Sequence, residues 1–338
     1  NGSKLLEPYD GPVPIVTHVH GAHVGPESDG YPEAWWLPAA NDIGGYQTEG
    51  TLANGYGSTN TGNGVGQFTY PNTQPSTTLW YHDHTLGMTR NNVYAGPAGF
   101  WLIREPGGGE TGLVSGTLPG PAPAAGDQVL DLNVPGTPLR NSIREIPIVI
   151  QDRSFNTDGS LFYPANRAFF EGLGNGQDPD GNGAAGLNID FFGTNDSDIA
   201  PIWNPEAFFN VMVVNGVSWP ELEGAPAIYR FRLLNGSNSR FLNLLLRMNQ
   251  SANQNGMELP FYQIGAEQSV LPQVVRIETG FATPLPGDGS DVDPKYQTCE
   301  KIAGKKVKPI GNCVPAQAAP FADQAMLMGP AEPVSYTH

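Results

Sequence analysis

Apolar residues in this chain come in short runs rather than at helical spacing. "PIVTHVHG", "QFTYPN", "TTLWYHDH", "AGFWLI", "IPIVIQDRSF", "AFFNVMVVNG", "IYRFRLLNG", "RFLNLLL" and "QVVRIETG" are rich in β-branched and aromatic residues and bounded by turn formers. Runs of this length and composition predict strands, and their number predicts an antiparallel sandwich or barrel. "YRFRLLN" alternates at its start, as a half-buried strand does. "VVNG" and "LLNG" end in Asn-Gly, the signature of a sharp turn after a strand.

Composition sharpens this picture. The 43 glycines and 32 prolines make up more than a fifth of the 338 residues, against roughly 12% in average usage. Long helices are therefore not expected. A Gly/Pro/Ala stretch without core signal separates two apolar regions, which predicts a first β-domain over 1–106, a linker over 107–130 and a second β-domain over 131–338. The net charge of −16 argues against a nucleic-acid partner, which needs a basic face. No apolar run approaches the ~18 residues of a membrane span. Cys299 and Cys313 bracket thirteen residues. That is not zinc spacing, so the choice lies between a disulfide closing a surface loop, which suits an exported protein, and two separate thiols.

The chemistry concentrates in histidine. Of six in the chain, four form two His-x-His pairs, His18 and His20 in "THVHGAHVGP", and His82 and His84 in "TLWYHDHTLGM". On a strand such residues share a face, ~6.6 Å apart at ~3.3 Å per residue. That separation suits two neighbouring metals better than one chelated ion, and two such strands side by side would gather four imidazoles. Neutral imidazole binds copper, zinc, iron or nickel. A single strand histidine is ordinarily a core residue, but two pairs in so histidine-poor a chain point to a metal. Val24 and Gly25 stand where a cupin carries its Glu. Thr85, Leu86 and Gly87 rule out the His-x-His-x-Asp-His hydrolase pattern, and no β/α alternation supports a TIM barrel. His23 has the wrong face parity and reads as structural; His338 is terminal.

"HVHGAHVGPESDGYPEAWW" and "TLWYHDHTLGMTRNNVYAGPAGFWLI", followed by "IVIQDRSFNTDGSLFYP", "FFNVMVVNGVSWP", "YRFRLLNGSNSRFLNL" and "MLMGPAE", resemble the multicopper oxidases, in particular their bacterial spore-coat laccase and bilirubin-oxidase branch. The resemblance implies cupredoxin-like Greek-key β-sandwich domains and one-electron oxidation of phenols, amines or tetrapyrroles coupled to four-electron reduction of dioxygen to water. It assigns His18 to the type 2 copper, His20 and His82 to one type 3 copper, and His84 to the other. Asp29, in "ESDGYPEAW", matches an acid that relays protons to the cluster; the simpler reading is an Asp capping the turn at Gly30. The family's later His-Pro-x-His-x-His and His-Cys-His motifs do not occur here. The resemblance therefore implies sandwiches incomplete at both ends, completed by another chain or segment that supplies the other histidines and the type 1 copper. An extracellular, periplasmic or spore-coat location is expected. A copper-binding protein without turnover, or a segment serving only assembly, remain the alternatives.

Other signals carry less. "DPDGNG" (178–183) resembles half of an EF-hand loop, but Ile189 stands where the closing Glu belongs and no helices flank it. "GKKVK" (304–308) reads as a solvated loop tip. The sequons at Asn1, Asn195, Asn235 and Asn249 are expected by chance in an Asn-rich chain, and Met88, Met326 and Met328 read as core.

Overall fold

A computed structural model describes residues 12–38, 45–56, 66–104, 143–163, 207–222, 224, 226–244, 246–247, 258–267, 269–277, 301–302, 305–306 and 326–337. The anticipated linker at 107–130, the 178–183 loop, Cys299, Cys313 and His338 lie outside these residues. In chain order the strands are β1 (Thr17–His20), β2 (Thr77–Asp83), β3 (Ala98–Ile103), β4 (Glu145–Arg153), β5 (Val211–Val214), β6 (Val217–Ser218), β7 (Arg230–Asn235), β8 (Leu242–Leu244), β9 (Leu246–Arg247), β10 (Glu258–Leu259), β11 (Phe261–Ala266), β12 (Ser269–Ile277), β13 (Lys301–Ile302), β14 (Lys305–Lys306), β15 (Met326–Met328) and β16 (Pro333–Thr337). The described helices are short: α1 (Pro26–Asp29), α2 (Ala53–Tyr56) and α3 (Thr89–Ala95). The all-β class expected from the apolar runs is what forms.

Strands β1, β2 and β3 make a three-stranded antiparallel sheet with β2 in the middle. A central strand buries both faces, and "TTLWYHD" has the β-branched and aromatic residues that suit one. The larger sheet runs β12-β11-β16-β7-β4-β5-β6 and holds one parallel pair, β4 with β7. Over it lies the β8–β15 pair, and the core between them comprises Leu233, Leu242, Phe261, Ile277, Met326 and Met328. Met326 and Met328 are fully buried, as expected of packing residues.

Turn chemistry divides the two Asn-Gly sites. Asn215 and Gly216 both take positive φ (49° and 83°), the geometry of a tight hairpin between β5 and β6. Asn235 instead ends β7 without a hairpin. Its buried amide donates to Arg240 O and Met328 O, so this sequon is occupied by internal hydrogen bonds. The expected strand at "QFTYPN" does not form. Thr69 N–H donates to the Ser28 hydroxyl rather than to a neighbouring strand, and Pro71 has no N–H to give.

The two sheets meet along a polar seam. Glu145, at the start of β4, receives Arg104 from beyond β3 and Arg232 from β7, with Arg230 at 3.5 Å. Arg232 also donates to Thr78 on β2 (2.7 Å), and the neighbouring Thr77 hydroxyl donates to Glu267 O. Further along, α3 reaches the larger sheet. The Tyr94 hydroxyl donates to Phe162 O (2.7 Å) and accepts from Ser154 N–H (2.9 Å), while Arg153 lies over the Tyr94 ring.

Candidate metal centre

Strand β1 places His18 and His20, and β2 places His82; His84 is the first residue beyond it. The antiparallel register sets His18 opposite His82 and His20 opposite Trp80. Ring centroids are 5.5 Å apart for His18–His20, 5.3 Å for His18–His82, 4.5 Å for His18–His84, 5.5 Å for His20–His82 and 5.8 Å for His82–His84. The two pairs thus converge into one cluster of four rings, the arrangement the spacing led us to expect. His23 stands outside it: its side chain is exposed, and its backbone N–H donates to Gln74 Oε1.

Three of the four rings are oriented by backbone carbonyls. His18 Nδ1 donates to Asp29 O (2.5 Å), His84 Nδ1 to Gly30 O (2.8 Å) and His82 Nδ1 to Asp83 O (2.7 Å). A carbonyl only accepts, so each of these rings carries its proton on Nδ1 and keeps its Nε2 lone pair for a metal. His20 differs: its Nδ1 lies 3.3 Å from His82 Nε2. Two such nitrogens can reach one ion, since imidazole–metal bonds are ~2.0–2.1 Å long. One ligand atom from each of His18, His20 and His82 falls within 4.8 Å of the others.

Electrostatics favour neutral rings. Burial is the main cause that lowers the pKa of His18 and of His20; the neighbouring His84 pushes in the same direction for both, while the Asp29 carbonyl opposes it at His18. At His82 burial brings the value down to about 4, against the pull of its own hydrogen bond to Asp83 O. Neutral imidazole is the form that binds metal, so protons do not compete for these three rings at neutral pH. Trp80 walls the cluster, 4.3 Å from the His82 ring and 5.8 Å from the His20 ring. His20 is exposed, which leaves one side open. An all-imidazole donor set suits copper and is a poor match for magnesium or calcium, which take oxygen.

Asp29 contributes first through its backbone. Its carboxylate Oδ1 lies 3.6 Å from His18 Nδ1 and is partly exposed, at the rim of the cluster. The next residue explains how two successive carbonyls face two rings. Gly30 has φ +83°, and a Cβ there would come within 2.2 Å of Thr17 O. Only glycine allows both the left-handed turn after α1 and its close approach to β1. The sequence reading passed over three supporting residues. Gln74 clamps the turn after β1, donating to Gly21 O and accepting from His23 N–H. Asp83 and Asn92 brace the other end of the cluster. An acid between two paired histidines was a usable signal for Asp83. Gln74 and Asn92 had none, because their partners are distant in sequence.

No protein-family model matches the chain. Among curated proteins, a laccase of Bacillus subtilis (strain 168) is 31% identical over 267 residues, covering 79% of this chain and 37% of that protein. A multicopper oxidase LPR1 homolog 1 of Oryza sativa subsp. japonica is 32% identical over 268 residues, covering 79% and 33%. A laccase of Haloferax volcanii is 32% identical over 273 residues, covering 80% and 33%. The chain spans about a third of the length of these relatives. The crystal structure of the McoA multicopper oxidase from Aquifex aeolicus overlays at a TM-score of 0.47 with 19% identity, over 96% of this chain and 42% of that one, a likeness too slight to carry weight alone. Sequence similarity along four-fifths of its length, to laccases and other multicopper oxidases alike, makes this chain a member of the multicopper oxidase family.

Proposed function

We propose that these residues supply half of the histidine ligands of an oxygen-reducing copper cluster in a laccase-like oxidase. In this reading His20 and His82 share one type 3 copper, His84 serves the other type 3 copper, and His18 serves the type 2 copper. The observation that carries it is the convergence of His20 Nδ1 and His82 Nε2, at 3.3 Å, with the other three Nδ1 atoms tied to carbonyls. Copper held here supplies one-electron redox chemistry toward dioxygen. The chain's own contribution is to hold neutral imidazoles in place, to shield them with Trp80, and to bring protons in.

Asp29 is the proposed proton relay. Reduction of dioxygen to two waters consumes four protons, and a partly exposed carboxylate beside His18 links the cluster to solvent. The remaining histidines and the type 1 copper, where phenolic, amine or tetrapyrrole reductants deliver electrons, are assigned to sequence beyond these 338 residues or to a partner chain. The two β-domains at 1–106 and 131–338 are part of the same proposal, as is a location outside the cytoplasm. No described helix is long and apolar enough to cross a membrane.

The test is copper content and oxygen uptake of the full-length protein beside His18→Ala, His20→Ala, His82→Ala and His84→Ala variants. Loss of cluster copper together with oxygen uptake in each variant supports the reading. Copper bound without oxygen uptake in the unsubstituted protein favours a non-catalytic copper protein, and full copper occupancy in the variants refutes the ligand assignment.

A further inference from the structure

Asp83 lies between His82 and His84 and is 2% exposed, and strand alternation turns its side chain away from theirs. Its two oxygens accept four hydrogen bonds. Oδ1 takes the Val16 N–H (3.0 Å) and the Thr85 hydroxyl (2.8 Å); Oδ2 takes the Thr85 N–H (3.1 Å) and the Asn92 amide (2.9 Å). That fills the acceptor capacity of an ionised carboxylate, about four lone-pair sites.

The donors come from three separate pieces of chain. Val16 leads into β1, two residues before His18. Thr85 follows His84. Asn92 sits on α3, and its amide also donates to Pro14 O (3.0 Å), tying the same helix to the approach to β1. These bonds act where regular pairing gives out. The β1–β2 ladder ends at Thr17 opposite Asp83, and His84 lies beyond it, its N–H donating to O of Val16, the residue before β1.

We propose that Asp83, seated by Asn92, is a positioning residue for the copper ligands. Its carboxylate fixes the start of β1 and the turn after His84 in one register, so that both histidine pairs face each other before a metal arrives. The proposal rests on the copper reading above. The chemistry singles out a carboxylate. In Asn the same shape carries an NH2 in place of one oxygen, and that NH2 must face two of the four donors whichever way the amide turns.

The experiment is copper titration of metal-free full-length protein against a competing chelator, with the electron paramagnetic resonance spectrum recorded at saturation. Partners that orient metal ligands typically contribute 10–100-fold in affinity. Asp83→Asn is expected to raise the copper dissociation constant by about 10–100-fold and to alter the copper spectrum, while near-ultraviolet circular dichroism still shows a folded protein. Asn215→Ala, at the β5–β6 edge of the larger sheet and away from β2, removes side-chain bonds to Val149 N–H and Pro147 O and serves as a destabilised control that keeps unsubstituted affinity and spectrum. Unchanged affinity and spectrum in folded Asp83→Asn, with only a lower melting temperature, overturns the proposal. Should Asp83→Asn fail to fold, Asn92→Ala decides. A weaker copper affinity with an altered spectrum supports the proposal, and unsubstituted behaviour overturns it. If the unsubstituted protein takes up no copper at these histidines, the copper reading itself fails, and that result is distinct from a failure of Asp83 alone.

Discussion

Glu145 is buried where the two sheets meet and faces three guanidinium groups, so replacing it with Gln tests what that seam contributes. Burial alone would raise the Glu145 carboxyl, but hydrogen bonds from Arg104 and Arg232, together with their charges, overcome it and hold the group at about 2. The folded value lies below the ordinary 4.5, so this carboxylate adds stability above pH 4.5 and loses it as pH falls toward 2. The size follows from linkage: about 2.5 units at 1.36 kcal/mol each gives about 3 kcal/mol at pH 7, falling to about 2 kcal/mol at pH 3.5. Removing one partner of a buried ion pair costs ~3–5 kcal/mol by an independent route, which agrees. Glu145→Gln keeps the shape and removes the charge. With a urea m-value of about 3 kcal/mol/M, the unfolding midpoint should drop by about 1 M at pH 7, and the gap to the unsubstituted protein should narrow at pH 3.5. A midpoint shift under about 0.3 M at pH 7, less than 1 kcal/mol at that m-value, or a gap that stays constant with pH, would refute the reasoning.

Three further outcomes are expected. His82 is held at about 4, chiefly by burial. Between pH 4 and 6.5 the unfolded chain therefore binds the extra proton, and the copper-free protein should lose about 3 kcal/mol as pH falls through that window; a His82→Gln variant whose unfolding shows the same pH slope would contradict this. Gly30→Ala forces a left-handed residue, which costs ~1–2 kcal/mol, and adds the Cβ contact with Thr17 O. The thermal midpoint should fall and copper content with it, because the carbonyls that orient His18 and His84 move. Asp29→Asn keeps the backbone carbonyl that orients His18 and removes only the carboxylate. Oxygen uptake should drop ~10²-fold or more at unchanged copper content, and unchanged turnover would leave Asp29 as a turn residue.

How far the fold could be read from sequence depended on whether the signal was local. β1, β2, β4 and β7 were legible because each run bears its own β-branched or aromatic pattern, and the Asn215–Gly216 hairpin because its turn needs two positive φ values. "QFTYPN" has the same local pattern and forms no ladder, since its partners are Ser28 and surrounding side chains rather than another strand. The sheet order was not legible. The parallel β4–β7 pair joins residues 85 apart at Glu145 and Arg230, and nothing in either segment announces the other. The same division holds in the histidine cluster. Four histidines advertise themselves by spacing, whereas Gly30, Gln74 and Asn92 act through backbone approach and long-range hydrogen bonds that no short motif encodes.

That division has a physical consequence for the strand at the heart of the site. The cluster asks β2 to hold His82 in a buried place where its charged form is disfavoured, close to three other rings, and isolated strands have little stiffness of their own. Strand β2 is accordingly anchored at both ends. Thr77 and Thr78 fasten its start to the larger sheet through Glu267 O and Arg232. At its finish, Asp83 holds Asn92 of α3, and Tyr94 on that helix is gripped by Ser154 and Phe162 beside β4. Both anchors lead to the larger sheet, yet that sheet contributes none of the four histidines. Its part in the site is mechanical: it sets where β2 lies, and β2 sets where the nitrogens point. Loosening the seam at Glu145 and loosening the brace at Asp83 should therefore act on the same strand from opposite ends, and their effects on copper affinity should be non-additive when combined.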